Sequence, residues 1–250
     1  MLRFREIYLG LKLSFSYFST IPVKFGRDER VDSDGVLNSM LFFLPFVGGV
    51  ISLLTLKLYD EVERFGWYGA FLASLAYPLF YGFLHLEAVM DVVDALFARH
   101  SGKEPYGVIK EPTVGAMGVL YTTALMLFKI VSILYLLLDN RGLFLVVVAV
   151  SSRLSLLLLF LTFKFRSKFL SRLKGAFSKS SFFLALIIYV SLIYLLVGVG
   201  GAIVTLLTLL LSILLGRILY RKLGFANGDF MGTILELIET FLISTAIFLF

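Results

Sequence analysis

Cysteine is absent from the 250-residue chain, so disulfides, thiolate metal sites and cysteine nucleophiles are all excluded. Histidine is nearly absent too: His85 and His100 are the only two, too few for a histidine-rich metal site. Charge is scarce, at 16% of residues, where a soluble domain carries about a quarter. What remains is apolar, with 59% hydrophobic residues, 26 phenylalanines and a mean hydropathy of +0.95. That balance excludes an ordinary water-facing globule and points to a bilayer. The net charge of +6 would suit nucleic acid, but the basic residues lie in loops between apolar runs. Such a pattern sets orientation in a membrane, so lipid is the expected partner and nucleic acid is not.

Seven apolar runs approach the roughly 20 residues that a helical span needs. They fall near 38–58, 67–86, 113–138, 142–163, 181–199, 201–220 and 232–250. The third and fourth meet at "DNRG", and the fifth and sixth at a tight "GVGGA" turn. No short alternating segments of the kind that build a barrel are present. The opening 30 residues lack the apolar core and small-residue cleavage site of a secretory signal. Instead Leu2, Phe4, Ile7, Tyr8, Leu11 and Phe15 recur at helical spacing, with Arg3, Arg5, Glu6 and Lys12 largely elsewhere. This predicts an amphipathic helix lying at the interface. The expected fold is therefore all-α: one polytopic helical membrane domain over 1–250, with about seven spans and an N-terminal interfacial helix.

Seven spans leave 1–37, 87–112, 164–180 and 221–231 on one side, and these hold 17 Lys and Arg. The other side holds only Arg64 and Arg141. The positive-inside rule makes the first side cytoplasmic and the expected location the cell's inner membrane.

"HLEAVMDVVDAL" (85–96) carries Glu87, Asp91 and Asp94 in apolar surroundings. Their i, i+4, i+7 spacing places them on one helical face. Three acids at a water-facing helix end is one reading. Like charges at that spacing repel, however, and a bound divalent cation would neutralise them. Carboxylates with one nearby histidine and no cysteine suit a hard ion, so magnesium is the expected cofactor. Membrane-embedded acids are also used in proton relays, though these rarely need three acids on one stripe.

Two more acidic sites fall on the same expected side. Glu111 precedes Pro112 in "IKEPTVGAMG", a placement suited to the first turn of the next span. Asp229 follows the Asn227–Gly228 turn in "NGDFMG", where it either caps the last span or joins the acidic site. Glu236 and Glu239 lie deeper in that span and need partners, for which Lys129, Arg153 and Arg217 are available. Ion pairing is expected of Lys129 and Glu239. Arg153 is expected to bind phosphate, because a guanidinium clamps phosphate in bidentate fashion.

Taken in order, "FSTIPV", "FLHLEAVMDVVDALFARHS", "IKEPTVGAMGVL", Arg153 with the basic stretch ending "KGAFSK", and "NGDFMG" resemble the adenosylcobinamide-GDP ribazoletransferase family, also called cobalamin phosphate synthases. His85, Asp91, Asp94 and Asp229 match the family pattern outright. Glu87 and Glu111 stand where the family has Asp, Ala88 and Ala95 where it usually has Gly, and Lys110 where it often has Arg. The resemblance implies transfer of cobinamide phosphate from adenosylcobinamide-GDP to alpha-ribazole or its 5′-phosphate, with release of GMP. It further implies that Glu87, Asp91 and Asp94 hold magnesium, with Asp91, Asp94, Glu111 and Asp229 as the catalytic acids. His85, Lys110, Arg153, Asn227 and Gly228 are the implied substrate contacts. A homo-oligomer stays open. A CDP-alcohol-type phosphotransferase is the nearer alternative, but the Ala-Arg arrangement of its signature is missing from the first acidic cluster. A transporter is the farther one; it would usually show an internal repeat, and none is evident.

Overall fold

The computed structural model describes residues 4–249, the side chains at 100, 248 and 249 excepted. Leu2 and Arg3 of the expected first helix, and Phe250 at the end of the last expected span, lie outside the described residues. Among those described, the chain forms only helices and one 3-10 turn, with no strand. In chain order they are α1 (Phe4–Phe18), α2 (Asp34–Phe42), α3 (Leu44–Val62), α4 (Trp67–Phe80), α5 (Leu84–His100) and α6 (Pro105–Lys110). The second half comprises α7 (Ala116–Leu138), α8 (Leu143–Thr162), α9 (Lys168–Ala176), α10 (Lys179–Val197), α11 (Val199–Leu223) and α12 (Gly228–Leu249). In a bilayer every backbone polar group must be satisfied within the chain, which is why long apolar runs close on themselves as helices.

Five helices, α7, α8, α10, α11 and α12, are each long and apolar enough to cross a membrane. The count rises to seven if each of two bent pairs, α2 with α3 and α4 with α5, is taken as one span. The protein is thus a polytopic helical bundle. Its last five expected spans are continuous helices, and its first two are broken.

The second break shapes the site. An unbroken span over 67–86 is expected from the apolar run, but α4 stops at Phe80 and α5 leaves at 75° to it. Pro78 removes a hydrogen-bond donor from the last turn of α4. Gly82 and Phe83 then both take the left-handed conformation, with φ of 64° and 56°, which no helix can continue through. The carbonyl of Phe80 is freed at this point. It accepts from both the amide (2.8 Å) and the hydroxyl (3.1 Å) of Thr20, which ties the N-terminal loop to the bend.

The centre of the bundle is formed by α8 and α12, buried along most of their length, while α7, α10 and α11 each keep a broad apolar face outward. Leu127, Phe128, Ile187, Leu195, Leu206 and Leu210 are among the exposed apolar residues there, as expected of lipid-facing surfaces. Small hydroxylated residues let the central helices approach. Ser151 of α8 bonds Thr205 of α11 at 2.8 Å, and Ser132 of α7 bonds Ser244 of α12 at 2.9 Å. The expected turns are present: the four residues of "DNRG", with Asn140 at φ 57°, turn α7 into α8, and the second turn is narrower than the sequence suggests, Gly198 (φ 69°) alone separating α10 from α11.

As expected, α1 is an amphipathic helix. Leu9, Gly10, Ser14 and Phe18 pack inward, against α2 and α3, and Phe4 and Tyr8 stay outside.

Candidate active site

The acids converge where α5 crosses the start of α12. Close approach there depends on Gly232, since a Cβ at that position would meet the Ala88 Cβ at 2.7 Å. One residue on, the Thr233 hydroxyl donates to the Ala88 carbonyl at 3.0 Å. This crossing brings Asp91 of α5 within electrostatic reach of Asp229 of α12. Lys110, at the end of α6, places its positive charge near both.

Asp229 is positioned by its own turn. Asn227 is the residue that caps α12, its Oδ1 accepting from the Phe230 amide at 3.0 Å. Its Nδ2 then donates to Asp229 Oδ2 at 2.6 Å. Asn227 therefore serves as cap and also orients the carboxylate, which leaves Asp229 free of the capping role that the sequence allows it.

The stripe of Glu87, Asp91 and Asp94 divides. Asp94 accepts from the Gly115 amide at 2.6 Å with one oxygen and from the Gly118 amide at 2.7 Å with the other. Both are orphan donors at the start of α7, so Asp94 caps a helix from across the bundle. Gly115 and Gly118 make this possible, since a Cβ at either would come within 2.5 Å of the Asp94 carboxylate oxygens. Glu87 is exposed and opens onto a cleft of about 260 Å³ between α5 and α7, lined also by Met90, Thr122 and Met126.

Among the described residues, no three His, Asp or Glu side chains are close enough to hold a metal ion by themselves. The expected triad is corrected accordingly: Asp94 is spent on backbone amides, and Asp91 and Glu87 remain. That donor set still fits magnesium, which is usually held by one or two carboxylates while substrate phosphates and water complete the shell.

Glu111 also departs from expectation. It follows α6, and α7 begins only at Ala116, so Glu111 lies in an exposed loop outside the first turn of a span. Gly228 forms the first turn of α12 and part of a cavity wall.

Arg153 is the largest correction. Its side chain is 0% exposed, and its Nη1 lies 2.5 Å from Glu239 Oε1. Lys129 Nζ lies 2.6 Å from Glu239 Oε2 and 2.8 Å from Glu236 Oε2, which realises the expected Lys129–Glu239 pair. Ser152 and Tyr77 also donate to Glu239. Two acids and two cations thus neutralise one another inside the bundle, where a lone charge would be very costly. Gly48 of α3 makes room, as a Cβ there would meet Arg153 Cδ at 2.5 Å. Cations nearer the surface are present beside the acids. Lys110 and Arg166 flank Tyr106, Arg166 lying 3.6 Å from the ring centre and 3.1 Å from Glu104. Arg217, the remaining candidate partner for the buried acids, is exposed.

Beside Asp229 lies a cavity of about 190 Å³. Its polar side chains are Asp229, His85 and the Tyr17 phenol; the rest of the wall is apolar or glycine and comes from α1, α3, α5, α8, α9 and α12. His85 is buried, with its Nε2 unpartnered. Sequence reasoning missed the cavity residues Tyr17, Phe160 and Phe169 and the network residues Tyr77 and Ser152. Hydroxyls inside apolar runs were the available signal for the network. The cavity has none, since its walls come from six helices far apart in sequence.

A family model described as cobalamin-5-phosphate synthase matches residues 10–247. A protein named adenosylcobinamide-GDP ribazoletransferase from Brevibacillus brevis is 30% identical, covering 89% of this chain and 91% of its own. Relatives of the same name from Treponema denticola and Pseudomonas fluorescens are 27% and 26% identical, each over 96% of this chain, and are themselves covered to 98% and 100%. No solved structure matches. With nearly its whole length matched, the chain belongs to the cobalamin-5-phosphate synthase family.

Proposed function

We propose that this protein transfers the cobinamide-phosphate moiety of adenosylcobinamide-GDP to alpha-ribazole or alpha-ribazole 5′-phosphate, releasing GMP in a late step of cobalamin synthesis. The site would face the cytoplasm from the inner membrane. The observation that carries this reading is the convergence of Asp91, Asp229 and Lys110 at one end of the bundle, beside a cavity, in a chain whose relatives bear that activity's name.

Asp229 is the acid that both neighbours Asp91 and lines the cavity. Asn227 orients its carboxylate, which takes the proton of the attacking hydroxyl as general base. The hydroxyl oxygen then bonds to the corrinoid-side phosphorus while the bond from that phosphorus to the bridging oxygen breaks, and GMP departs. Lys110 and Arg166 offset phosphate charge as it develops. Asp91, with Glu87 one turn away, would hold magnesium against the pyrophosphate, and when bound it supplies charge neutralisation for the leaving phosphate.

The test is GMP release by the detergent-purified protein given adenosylcobinamide-GDP and alpha-ribazole, with and without magnesium. Release that needs the acceptor and the metal supports the proposal. Release of CMP from a CDP-alcohol and an acceptor alcohol, in place of GMP, would transfer the site to that chemistry. Silence in both assays leaves transport as the reading.

A further inference from the structure

We infer that the cavity beside Asp229 seats the aromatic base of the acceptor, which makes its wall the determinant of which azole nucleoside the enzyme accepts. This rests on the transferase reading above and names a subsite within it.

Size argues first. At about 190 Å³ the cavity lies below the roughly 300–1,000 Å³ that houses a whole drug-sized ligand. It therefore holds one part of a substrate and cannot enclose a corrin macrocycle or a nucleoside diphosphate. Chemistry argues second. Leu44, Leu156, Phe160, Leu173 and Met231 present hydrocarbon and ring faces, and a guanine would bury several donors and acceptors there unpaired. A benzimidazole-type base, by contrast, is flat and largely apolar, and once ribosylated it keeps a single free ring nitrogen. The polar groups on this wall are few, namely the Asp229 carboxylate, the Tyr17 phenol and the His85 imidazole.

Position argues third. A base seated among these side chains would carry its ribose toward the Asp229 end of the wall, where the proposed general base stands. The rings of Tyr17 and Phe169, 5.7 Å apart and both partly exposed, lie at the outer edge of the same wall. They offer aromatic surface of the kind on which a planar base stacks. A lipid acyl chain is the rival occupant, but it has no use for a carboxylate on the wall.

Two variants of opposite sense test the inference. Leu173→Trp fills the cavity from α9, and Phe160→Ala enlarges it from α8; neither residue belongs to the acid site. Initial rates are measured in lipid nanodiscs with alpha-ribazole, unsubstituted benzimidazole riboside and the larger naphthimidazole riboside, while adenosylcobinamide-GDP is varied separately. Leu173→Trp is expected to raise the KM for alpha-ribazole about tenfold or more and leave the donor KM unchanged. Phe160→Ala is expected to shift preference toward the naphthimidazole riboside. If Leu173→Trp fails to fold, the selectivity of Phe160→Ala decides. An altered donor KM with an unaltered acceptor KM overturns the inference, as does unaltered selectivity in both variants. Calorimetric titration with alpha-ribazole alone separates the two layers. Binding that Leu173→Trp weakens keeps the seat even if no turnover is found, whereas turnover without that weakening removes the seat and keeps the enzyme. Native mass spectrometry showing a lipid held by the wild type and lost in Leu173→Trp would assign the cavity to lipid and overturn the inference.

Discussion

At the scale of single residues, the acids of one helical stripe have parted company, and substitution will separate their roles. Asp94 is engaged through both oxygens by the first turn of α7. Asp94→Ala should cost about 1–2 kcal/mol, as lost helix caps do, read as a lower melting temperature in detergent. Asp91 caps nothing and faces Asp229, Glu87 and Lys110. Asp91→Asn should leave melting unchanged and abolish magnesium-dependent GMP release, a loss beyond the roughly 10–100-fold typical of residues one step removed from a metal. Equal melting losses with activity retained in both would remove Asp91 from the chemistry. The spacing that put the three acids on one face was legible in the sequence. Their division was not, because the donors claiming Asp94 lie 21 and 24 residues away in the chain. Spacing along a helix fixes direction, and the neighbour waiting in that direction is a tertiary fact. Arg153 repeats the point with a partner 86 residues distant.

At the scale of helices, four charges hold α7, α8 and α12 together. Lys129 comes from α7, Arg153 from α8, and Glu236 and Glu239 from α12; Tyr77 adds α4 through its hydroxyl. The sequence made clear that two acids in an apolar span need cations, and it supplied Lys129. Choosing Arg153 over Arg217 required knowing that α8 is central and that Arg217 sits on an exposed face of α11. Lys129→Met should be severe, since breaking a buried pair from one side leaves a charge uncompensated and costs about 3–5 kcal/mol. Lys129→Met combined with Glu236→Gln should recover part of that loss, because the surviving charges of Arg153 and Glu239 again balance. Thermal unfolding of the purified single and double variants in one detergent measures both effects. A double variant no better than the single would show that geometry, rather than charge balance, sets the cost. The break between α4 and α5 was also written in the sequence, in Pro78 and Gly82, but hydropathy runs smoothly across it. An apolar run records what the surroundings must be and not whether the helix inside it is straight.

At the scale of the whole molecule, the distribution of charge sets orientation, and the absence of cysteine makes it measurable. Lys and Arg crowd the ends of the bundle that carry Asp91, Asp229 and the basic helix α9, while the opposite ends hold Arg64 and Arg141, with Lys57 near the end of α3 paired to Glu61. Cationic loops resist translocation, so the crowded ends should stay in the cytoplasm, where nucleotide-activated substrates and magnesium are available. With no native thiol, a single introduced cysteine reports one position without background. Arg64→Cys falls in the exposed turn between α3 and α4, and Lys168→Cys at the exposed start of α9. In intact cells a membrane-impermeant maleimide that passes the outer permeability barrier should label the first and spare the second; in inverted membrane vesicles the pattern should reverse. Labelling of Lys168→Cys from outside would turn the acid site away from its proposed substrates. Labelling of both positions from one side would show that the bent pair α4–α5, which lies between them with α7 and α8, does not cross as the charge count requires. That outcome would leave the acid site intact but make α5 a helix lying along the surface beside the five continuous spans. The two thiols therefore read orientation and the crossing of α4–α5 in one experiment, and only labelling from opposite sides, with Lys168→Cys inside, is compatible with seven spans and a cytoplasmic site.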